Sequence, residues 1–279
     1  MEAAFIEAEK IAKNHYENFP VVSLMVPKNK RKYLAVIYQF ARTADDFADE
    51  GDETSETRLK NLDNWLNNFN ACLEGNYESN FWMAVHNTIN SNIIQPENFR
   101  NLISAFKQDV QKARYSSFDE LIDYSKRSAD PVGRLVLELH SIHDEKLNEF
   151  SDMICSALQL TNFWQDVAVD LKKDRIYIPQ EDLEKFNVSE EDLFNHNFTD
   201  NFLELMKFQI ERTRKMFDEG KKLIDYLPGK LKFQIKWTIL GGEKILSQIE
   251  KIDYNVLATR PKLSKYNYLF LFVKALLTA

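Results

Sequence analysis

The sequence predicts an all-α fold for this chain of 279 residues. Apolar residues recur with helical spacing nearly from end to end, and no segment alternates convincingly between apolar and polar side chains as a half-buried strand does. The chain has seven glycines and contains neither a GxGxxG nor a P-loop pattern, which nucleotide-binding α/β folds need. No linker rich in proline, glycine or serine divides it. We therefore expect one helical domain over residues 1–279.

The individual helices are predicted from runs of helical periodicity and from the residues that punctuate them. Pro96 suits the first position of a helix. Ser117 with Glu120, and Ser189 with Asp192, have the spacing of capping boxes. The predicted helices span residues 2–17, 29–50, 55–74, 79–92, 96–114, 118–128, 131–143, 145–171, 199–226, 231–251 and 264–277.

The composition argues against several classes of protein. The net charge of −7 disfavours general binding of nucleic acids, which favours a basic protein or a basic face. Cys72 and Cys155 lie in apolar helical segments, which is typical of reduced core residues in a cytoplasmic protein rather than of a disulfide framework. The histidines, including the pair His140 and His143, show no spacing that indicates zinc ligands.

The two ends of the chain bear on membrane contact. The opening sequence MEAAFIEAEKIAKNH has a mixed-charge amphipathic pattern rather than that of a signal peptide. No run approaches eighteen apolar residues, so no membrane-spanning helix is predicted. The segment YNYLFLFVKALLTA (266–279) is interpreted as a core helix. Peripheral contact with a membrane stays open, because amphipathic helices with aromatic residues can lie in the interface.

Two aspartate pairs with the same spacing indicate the chemistry. They are Asp45 with Asp49, and Asp166 with Asp170. Residues i and i+4 of a helix share one face about 6 Å apart along the axis, so each pair is a clamp of two carboxylates. Like charges at this spacing destabilise an isolated helix, and something must offset the repulsion. We expect the clamps to face each other across a cavity and to hold Mg²⁺ ions that bind a diphosphate.

A solvated helix face is the alternative interpretation of either pair. The chain has 43 Asp and Glu residues, so acidic pairs with this spacing also arise by chance, and Asp119 with Asp123 is one of them. Both clamps, however, are preceded by apolar residues, as in a helix that packs against a core. These are Leu34, Val36, Ile37 and Phe40 before the first clamp, and Leu158, Leu160, Phe163 and Trp164 before the second.

Polar side chains near the clamps extend each site. Arg42 lies three residues before Asp45, so its guanidinium would either pair with that carboxylate or reach a diphosphate oxygen. Tyr38 lies one turn earlier. The donors that follow the second clamp are Lys172, Lys173, Arg175 and Tyr177. A solvated charge run is the alternative for these four.

The second clamp continues into a longer set of oxygen ligands. Asn162 lies one turn before Asp166, and Asp170 lies one turn after it. The three side chains form a ladder of hard oxygen ligands on one helix face, which suits Mg²⁺. Gln159 lies on a neighbouring face.

Together these motifs resemble the squalene/phytoene synthase family, the head-to-head prenyl-diphosphate enzymes of the isoprenoid-synthase fold. The segment HYENFPVVSLMVPKNKRKYLAVIYQFARTADDFADE (15–50) is similar to the family's opening segment and first aspartate motif. The segment LTNFWQDVAVDLKKDRIYIPQEDL (160–183) is similar to its second motif. The resemblance covers nearly the whole chain. It implies a helical bundle around a central cavity, two or three Mg²⁺ ions and a prenyl diphosphate substrate.

Finer features are similar to bacterial hydroxysqualene synthases. They are ARTADDFADE, YSKRSADPVGRLVLELH, NFWQDVAVD and GGEKILSQIEKIDYNVLATRPKLS. This branch implies conversion of presqualene diphosphate and water to hydroxysqualene and diphosphate, in hopanoid and squalene biosynthesis. It also implies functional coupling to a presqualene diphosphate synthase, and no nicotinamide cofactor.

Three departures from the wider family pattern fit that branch. Arg127 stands where the condensing members carry a tyrosine implicated in the first condensation. Asp130 and Pro131 replace the usual glycine and the residue after it, and Gln165 replaces an arginine. These departures put condensation of two farnesyl diphosphates in doubt. They fit an enzyme that receives the cyclopropyl intermediate already made.

The resemblance implies roles for further residues. His15 aligns with a family position near the diphosphate, although a structural histidine at a helix end is an equal alternative. Asp109, with Arg114 and Arg127 in the same motif region, is a candidate to position the water. Aromatic faces would stabilise a carbocation, and the candidates are Phe19, Phe40, Phe106 and Phe163. The predicted substrate-binding set is His15, Phe19, Tyr38, Arg42, Asp109, Arg127, Gln159, Arg175 and Tyr177.

Two other functions stay open. A condensing synthase would make squalene or phytoene from two prenyl diphosphates, and it would turn over farnesyl diphosphate alone. A non-catalytic assembly factor of the same fold would have no reason to retain both aspartate clamps, and this chain retains both.

Overall fold

The computed structural model describes residues 5, 6, 8 and 27–277, so most of the predicted helix 2–17 lies outside it. The predicted all-α fold is confirmed. The described residues form no strand, and an isolated β-bridge joins Arg114 to Ile176. The helices are α1 (Lys28–Asp49), α2 (Ser55–Leu73), α3 (Asn80–Asn92), α4 (Pro96–Gln111), α5 (Phe118–Ser128), α6 (Asp130–Leu139), α7 (Glu145–Asp170), α8 (Gln180–Lys185), α9 (Glu190–Phe194), α10 (Asp200–Gly220), α11 (Gly229–Lys251) and α12 (Lys265–Leu277).

Most predicted boundaries lie close to the observed ones, and the exceptions have local causes. Helix α4 was predicted to reach residue 114, but Lys112 is already extended (φ −130°, ψ 124°). The carbonyl of Ala113 there accepts a hydrogen bond from the backbone N–H of Ile176 at 2.9 Å. Helix α6 was predicted to reach residue 143 and ends at Leu139. Two residues later, Ser141 has a left-handed φ of 60°.

The predicted capping residues act as expected at two helix starts. Ser189 and Asp192 form a full capping box before α9, in which each side chain accepts from the other residue's backbone N–H. Ser117 accepts from the backbone N–H of Glu120 at 3.2 Å. The Glu120 carboxylate instead accepts from the backbone N–H of Ser116 at 2.6 Å, so this box is displaced by one residue.

The chain divides into two compact units. Unit 1 comprises Met1–Lys112 and Pro131–Asn148, and unit 2 comprises Ala113–Asp130 and Glu149–Ala279. The prediction of one domain over residues 1–279 stays a prediction. In the described part of the chain, every helix is too short or too polar to cross a bilayer.

Unit 1 packs around the ring of Phe40 on α1. This side chain is fully buried. Its centroid lies 4.8 Å from that of Phe99, 5.2 Å from Phe69, 5.6 Å from Trp65 and 6.0 Å from Trp82. These partners come from α2, α3 and α4, so Phe40 joins α1 to three other helices and fixes the helix that carries the first clamp. Phe40, expected as a cavity candidate, is a core residue of unit 1.

Cys72 and Cys155 form no disulfide bond in the described part of the chain, and Cys72 is buried whereas Cys155 is half-buried. Burial raises the pKa of the Cys72 thiol to about 11, although a backbone hydrogen bond involving His86 opposes the rise. The thiol therefore stays protonated at neutral pH and donates to the carbonyl of Trp82 at 3.1 Å. Cys72 acts as a packing residue of unit 1.

Unit 2 allows close approach of α7, α10 and α11. A Cβ atom on Gly220 would lie 2.7 Å from Ile154, and one on Gly242 would lie 2.7 Å from Phe217. Trp164 on α7 is fully buried, and its indole N–H donates to the Thr213 hydroxyl at 2.8 Å. These contacts hold in place the helix that carries the second clamp.

A buried carboxyl in unit 1 makes folding stability depend on pH. Glu138 is 5% exposed and accepts from the Asn98 amide at 3.1 Å and from the backbone N–H of Gln95 at 3.3 Å. Burial raises its pKa from 4.5 to about 7, against the opposing effect of these donors. The folded state thus binds this proton more tightly than the unfolded state, and the contribution is lost as pH rises. We expect the free energy of unfolding to fall by on the order of 1–3 kcal/mol between pH 4.5 and 7.

Urea unfolding of the Glu138→Gln variant at pH 5 and pH 7.5 checks this expectation. The amide retains an acceptor for Asn98 but cannot ionise, so the variant should lose that part of the pH dependence. Glu97→Gln changes an exposed carboxyl on the neighbouring α4 and should leave the dependence intact. Identical pH dependence in the wild type and Glu138→Gln would contradict the assignment.

Candidate active site

The first clamp lies at the C-terminal end of α1, in unit 1. Arg42 pairs with Asp45 (Nη1 to Oδ2, 3.2 Å) and with Asp46 (Nη2 to Oδ1, 2.6 Å), and it also contacts Glu50. Asp49, one turn after Asp45, is exposed. The sequence left two roles for Arg42, an ion pair with Asp45 or contact with a diphosphate. The structure contains the ion pair with Asp45. To bind a phosphate, Arg42 would exchange one of these carboxylates for it.

Carboxylates outnumber cations around this clamp. Burial raises the pKa of Asp45, Arg42 opposes the rise, and Asp49 and Asp46 add to it. Burial alone would lower the pKa of Arg42, but its acidic neighbours raise it overall. Burial also raises the pKa of Tyr38, which therefore remains a hydroxyl donor. Excess negative charge of this kind favours a divalent cation.

The second clamp lies at the C-terminal end of α7, in unit 2. Arg260, from the segment between α11 and α12, binds both carboxylate oxygens of Asp166. Its Nη2 lies 2.9 Å from Oδ2, and its Nε contacts Oδ1. Burial raises the pKa of Asp170 to about 7, the charge of Asp166 adds to the rise, and Arg175 and other cations oppose it. The Asp170 carboxyl is therefore partly protonated near neutral pH, and a bound cation would favour its ionised form.

Gln165 and Asp166 bind successive residues of one segment. The Gln165 amide donates to the carbonyl of Pro261 at 2.6 Å, next to the pair formed by Asp166 and Arg260. An arginine in place of Gln165 would put a second cation beside Arg260. The neutral amide avoids this repulsion and binds the segment to α7.

An aromatic pocket adjoins Asp170. The rings of Phe163 and Tyr177 stack with centroids 3.8 Å apart and an interplanar angle of 8°. Tyr115 and Tyr124 extend the cluster, at 5.7 Å and 6.3 Å from the Tyr177 ring. The space beside these rings is about 210 Å³ when open solvent is included, and its enclosed part has room for about one water molecule. Its lining residues are Phe163, Val167, Asp170, Leu171, Arg175, Ile176, Tyr177 and Ile178.

The other predicted residues of the second motif lie along the same helix and the turn that follows it. Asn162 is exposed on α7, one turn before Asp166, and Gln159 is half-buried. The chain then turns through a 3₁₀ segment, and the backbone N–H of Arg175 donates to the carbonyl of Asp170 at 3.0 Å. Lys172 and Lys173 are exposed in that turn.

Two departures from the family pattern have defined partners in unit 2. Arg127 on α5 pairs with Asp123 one turn earlier, with Nη2 at 2.7 Å from Oδ2. Asp130 is buried and accepts from the Ser156 hydroxyl of α7 at 2.8 Å. A glycine at position 130 could not make this bond. Asp130 thus binds the start of α6 to the helix of the second clamp.

The remaining predicted residues belong to other elements of the chain. Asp109 is on α4 in unit 1, and Phe106 on the same helix packs against the unit 1 core. Arg114 pairs with Asp174 at 2.7 Å, and a further ion pair to α9 makes it a structural residue. His15 and Phe19 lie outside the described residues.

Arg260 is the site residue that the sequence analysis did not identify. It lies 94 positions after its partner Asp166. No local pattern in the sequence points to this contact, because helical periodicity does not relate residues so far apart.

The two clamps fit Mg²⁺. In the described residues, no group of three or more His, Cys, Asp or Glu could hold a metal ion. Each clamp has two carboxylates spaced one helical turn apart. Mg²⁺ commonly binds through one or two carboxylates and completes its shell with water and substrate phosphates. Burial is the main cause of the raised pKa of Asp45 and of Asp170, and neighbouring carboxylates add to both.

Comparison with known proteins places the chain in a family. The model of the squalene/phytoene synthase family matches residues 12–267. The chain belongs to this family. Phytoene synthase 1 from the chloroplast of Solanum lycopersicum is 29% identical over 271 residues, which are 95% of this chain and 66% of that protein. The chain thus spans just under two thirds of the length of this relative.

Two solved structures of the squalene/phytoene synthase type match the fold. Squalene synthase HpnC from Alicyclobacillus acidocaldarius is 36% identical, with a TM-score of 0.87 over 91% of this chain and 95% of that one. A dehydrosqualene synthase in complex with a ligand has a TM-score of 0.87 at 19% identity, over 99% of this chain and 96% of that one. The predicted isoprenoid-synthase fold is confirmed. Family and fold are those of an enzyme of the squalene/phytoene synthase type, and both clamps lie inside the matched range.

Proposed function

We propose that the protein catalyses ionisation of presqualene diphosphate and capture of the product cation by water, which gives hydroxysqualene and diphosphate. The observation that carries this proposal is the pocket at the C-terminal end of α7. There Asp170 and Arg175 adjoin the stacked rings of Phe163 and Tyr177. A hydrocarbon diphosphate needs both kinds of surface, since its leaving group is an anion and its reacting carbon becomes cationic.

Two arginines, Arg175 and Arg260, lie on the elements that adjoin the second clamp. The bond between the substrate carbon and the diphosphate oxygen breaks, and the oxygen keeps the electron pair. A guanidinium binds phosphate as it binds carboxylate, through two parallel N–H groups. Arg260 already binds Asp166 in this way, so a phosphate would replace the carboxylate without a new type of hydrogen bond. Arg175 lines the adjoining pocket.

The aromatic pocket would stabilise the cation that remains. Each aromatic face contributes about 0.5–2 kcal/mol to a nearby cation, and Phe163 and Tyr177 are the rings that line the pocket. A water oxygen then bonds to the cationic carbon and loses one proton, which the released diphosphate accepts. Atoms and charge balance without a reductant, so the proposed reaction uses no nicotinamide cofactor.

Mg²⁺ is the cofactor of the proposed reaction, with two or three ions expected. Asp45, Asp49, Asn162, Asp166 and Asp170 are the oxygen ligands that would hold them. When bound, the ions would neutralise the developing charge of the diphosphate as Lewis acids. The chain's own contribution is the one-turn spacing within α1 and within α7, which presents each set of oxygens on one helix face.

The chemistry of the substrate implies a supplier. Presqualene diphosphate is itself the product of a condensation, so we propose functional coupling to a presqualene diphosphate synthase. We also propose that the protein acts in the cytoplasm.

A condensing synthase of the phytoene or squalene type is the second candidate, since a relative that spans most of the chain is named a phytoene synthase. The residues favour the first proposal. Arg127 stands where the condensing members carry a tyrosine, and its guanidinium is bound to Asp123. The amide of Gln165 takes the place of an arginine and binds the backbone of Pro261.

Product analysis tests the proposal. The purified protein would be incubated with Mg²⁺ and presqualene diphosphate, or with Mg²⁺ and farnesyl diphosphate, each with and without a reduced nicotinamide cofactor. We expect hydroxysqualene from presqualene diphosphate in both cofactor conditions, and no product from farnesyl diphosphate alone. A coupled product from farnesyl diphosphate would establish the second candidate instead. Lack of turnover of both substrates would favour the non-catalytic alternative.

Variants of Arg260 test its role in the same assay. We expect Arg260→Ala to lower kcat/KM for presqualene diphosphate by at least about tenfold, because a charge-assisted contact with phosphate is lost. Arg260→Lys should restore only part of the loss, since an ammonium group cannot form the bidentate contact. Lys262→Ala removes a nearby exposed cation and serves as the control.

A further inference from the structure

The C-terminal helix α12 has an exposed apolar face. Seven of its apolar side chains are exposed, and Tyr268, 48% exposed, lies apart from the other six. Those six share one face, with exposed fractions of 86% for Tyr266, 64% for Leu269 and Phe270, and 81% for Leu277. Val273 and Leu276 complete the set. At 100° per residue these positions fall within a stripe roughly 120° wide. Scattered exposed apolar residues are ordinary, but a continuous stripe marks a contact surface.

The opposite face of α12 is fixed to unit 2. Leu271 and Ala275 are buried. The ring of Phe272 meets Phe233 and Trp237 of α11 edge to face, with centroid distances of 5.1 Å and 5.2 Å. The helix is therefore held on one side and presents its apolar stripe on the other. The interpretation of the segment 266–279 as a core helix, tested over the described residues to Leu277, is correct for the buried face alone.

Positive charge surrounds the stripe. Lys265 and Lys274 lie about 20° and 40° beyond its two edges on a helical projection. On a helical projection of α11, Lys230 and Lys236 lie within about 60° of Phe233, one of the two residues that contact Phe272. The sequence has no Asp or Glu between residues 226 and 242, and none after Asp253, although the whole chain has a net charge of −7. The residues that border the stripe are thus basic, although the protein as a whole is acidic.

We infer that α12 and the start of α11 form a docking surface for a bilayer that contains anionic lipid. An apolar helix face bordered by lysines matches the boundary between acyl chains and anionic head groups. The aromatic residues Tyr266 and Phe270 suit this boundary, and the lysines suit the head groups. Charge complementarity selects this occupant over a second copy of the chain, because two copies would bring two basic surrounds together. The inference does not depend on which product the protein makes.

Co-sedimentation with vesicles tests this surface. The full-length protein would be mixed with sucrose-loaded vesicles of phosphatidylcholine alone, or of phosphatidylcholine with phosphatidylglycerol. We expect binding to the anionic vesicles and at least about tenfold weaker binding to the neutral ones, with the anionic binding reduced by high salt. Equal binding to both compositions, or binding to neither, would overturn the inference.

Paired variants separate the apolar and the basic contributions. Leu269→Ser with Phe270→Ser, and Lys230→Glu with Lys265→Glu, should each weaken binding to anionic vesicles by at least about tenfold. The matched controls are Met153→Ser, an exposed apolar residue on α7, and Lys60→Glu, an exposed lysine on α2. Controls as defective as the paired variants would contradict the assignment.

Sedimentation equilibrium without lipid distinguishes the other occupant. A wild-type dimer that the Leu269→Ser and Phe270→Ser variant converts to a monomer would show that a second copy covers the stripe, and it would overturn the lipid assignment. A wild-type monomer supports it. Turnover of detergent-dispersed presqualene diphosphate should be equal in the wild type and this variant, so failure of vesicle binding is distinguishable from failure of the proposed reaction.

Discussion

Replacement of Asp166 by asparagine is expected to reduce turnover of presqualene diphosphate by at least about a thousandfold, because an amide cannot replace the charge of a metal-binding carboxylate, which is worth several kcal/mol. Asp45→Asn should have a similar effect on the other clamp. Both residues are partly exposed, so each variant should keep its free energy of unfolding to within about 1 kcal/mol. Loss of turnover with retained stability separates a chemical role from a structural one.

A binding measurement gives a second readout that does not depend on turnover. Mg²⁺ with inorganic diphosphate should raise the melting temperature of the wild type, because a ligand that binds only the folded state stabilises it. The Asp166→Asn protein should lose most of that rise. Asp63→Asn and Asp218→Asn alter exposed carboxylates that pair with Lys107 and Lys221, and they serve as controls. Full turnover by Asp45→Asn and Asp166→Asn together would refute the metal mechanism.

The fold could be predicted where local interactions determine it. The hydroxyls of Ser117 and Ser189 each accept a hydrogen bond from the backbone N–H three residues later. Because these bonds are local, the start of α5 and the capping box of α9 could be predicted from the sequence. The C-terminal end of α4 could not be predicted in this way. It depends on a hydrogen bond between Ala113 and Ile176, which are far apart in sequence. The short helices α8 and α9 were missed because a segment of one or two turns carries too little periodicity.

The difference between local and long-range contacts also explains which parts of the candidate site could be predicted. The composition of each clamp follows from the spacing of aspartates on one helix, which sequence reveals directly. Pairing of Arg42 with Asp45 was one of the two stated interpretations, and the further contacts of Arg42 with Asp46 and Glu50 lie within the same two turns. Arg260 reaches Asp166 only through tertiary structure. No local pattern contains that contact.

The stack of Phe163 and Tyr177 shows how tertiary structure can unite two local predictions. Each residue was predicted near the second clamp for a different reason, Phe163 as an aromatic wall and Tyr177 as a donor. The turn after α7 brings their rings to a centroid distance of 3.8 Å. Tyr177 therefore adds aromatic surface to the pocket beside Asp170, which its position in a charge run did not indicate.

Truncation of Phe40 is expected to produce the largest loss of stability. Phe40→Ala should lower the free energy of unfolding by about 3–5 kcal/mol, because it removes a fully buried ring and leaves a cavity among four aromatic side chains. Guanidinium chloride unfolding, followed by far-UV circular dichroism and tryptophan fluorescence, measures the change. Trp65 and Trp82 are direct neighbours of Phe40, so their fluorescence reports on unit 1.

The same experiment separates the two roles considered for Phe40. A ring that only lined a substrate cavity would tolerate truncation with little loss of stability, and the variant would instead lose turnover at temperatures where it remains folded. Phe270→Ala makes the same change on the exposed face of α12 and should alter the free energy of unfolding by no more than about 0.5 kcal/mol. If Phe40→Ala were as stable as Phe270→Ala, the packing of α1 against α2, α3 and α4 would not depend on this ring. The first clamp would then owe its position to other contacts of α1.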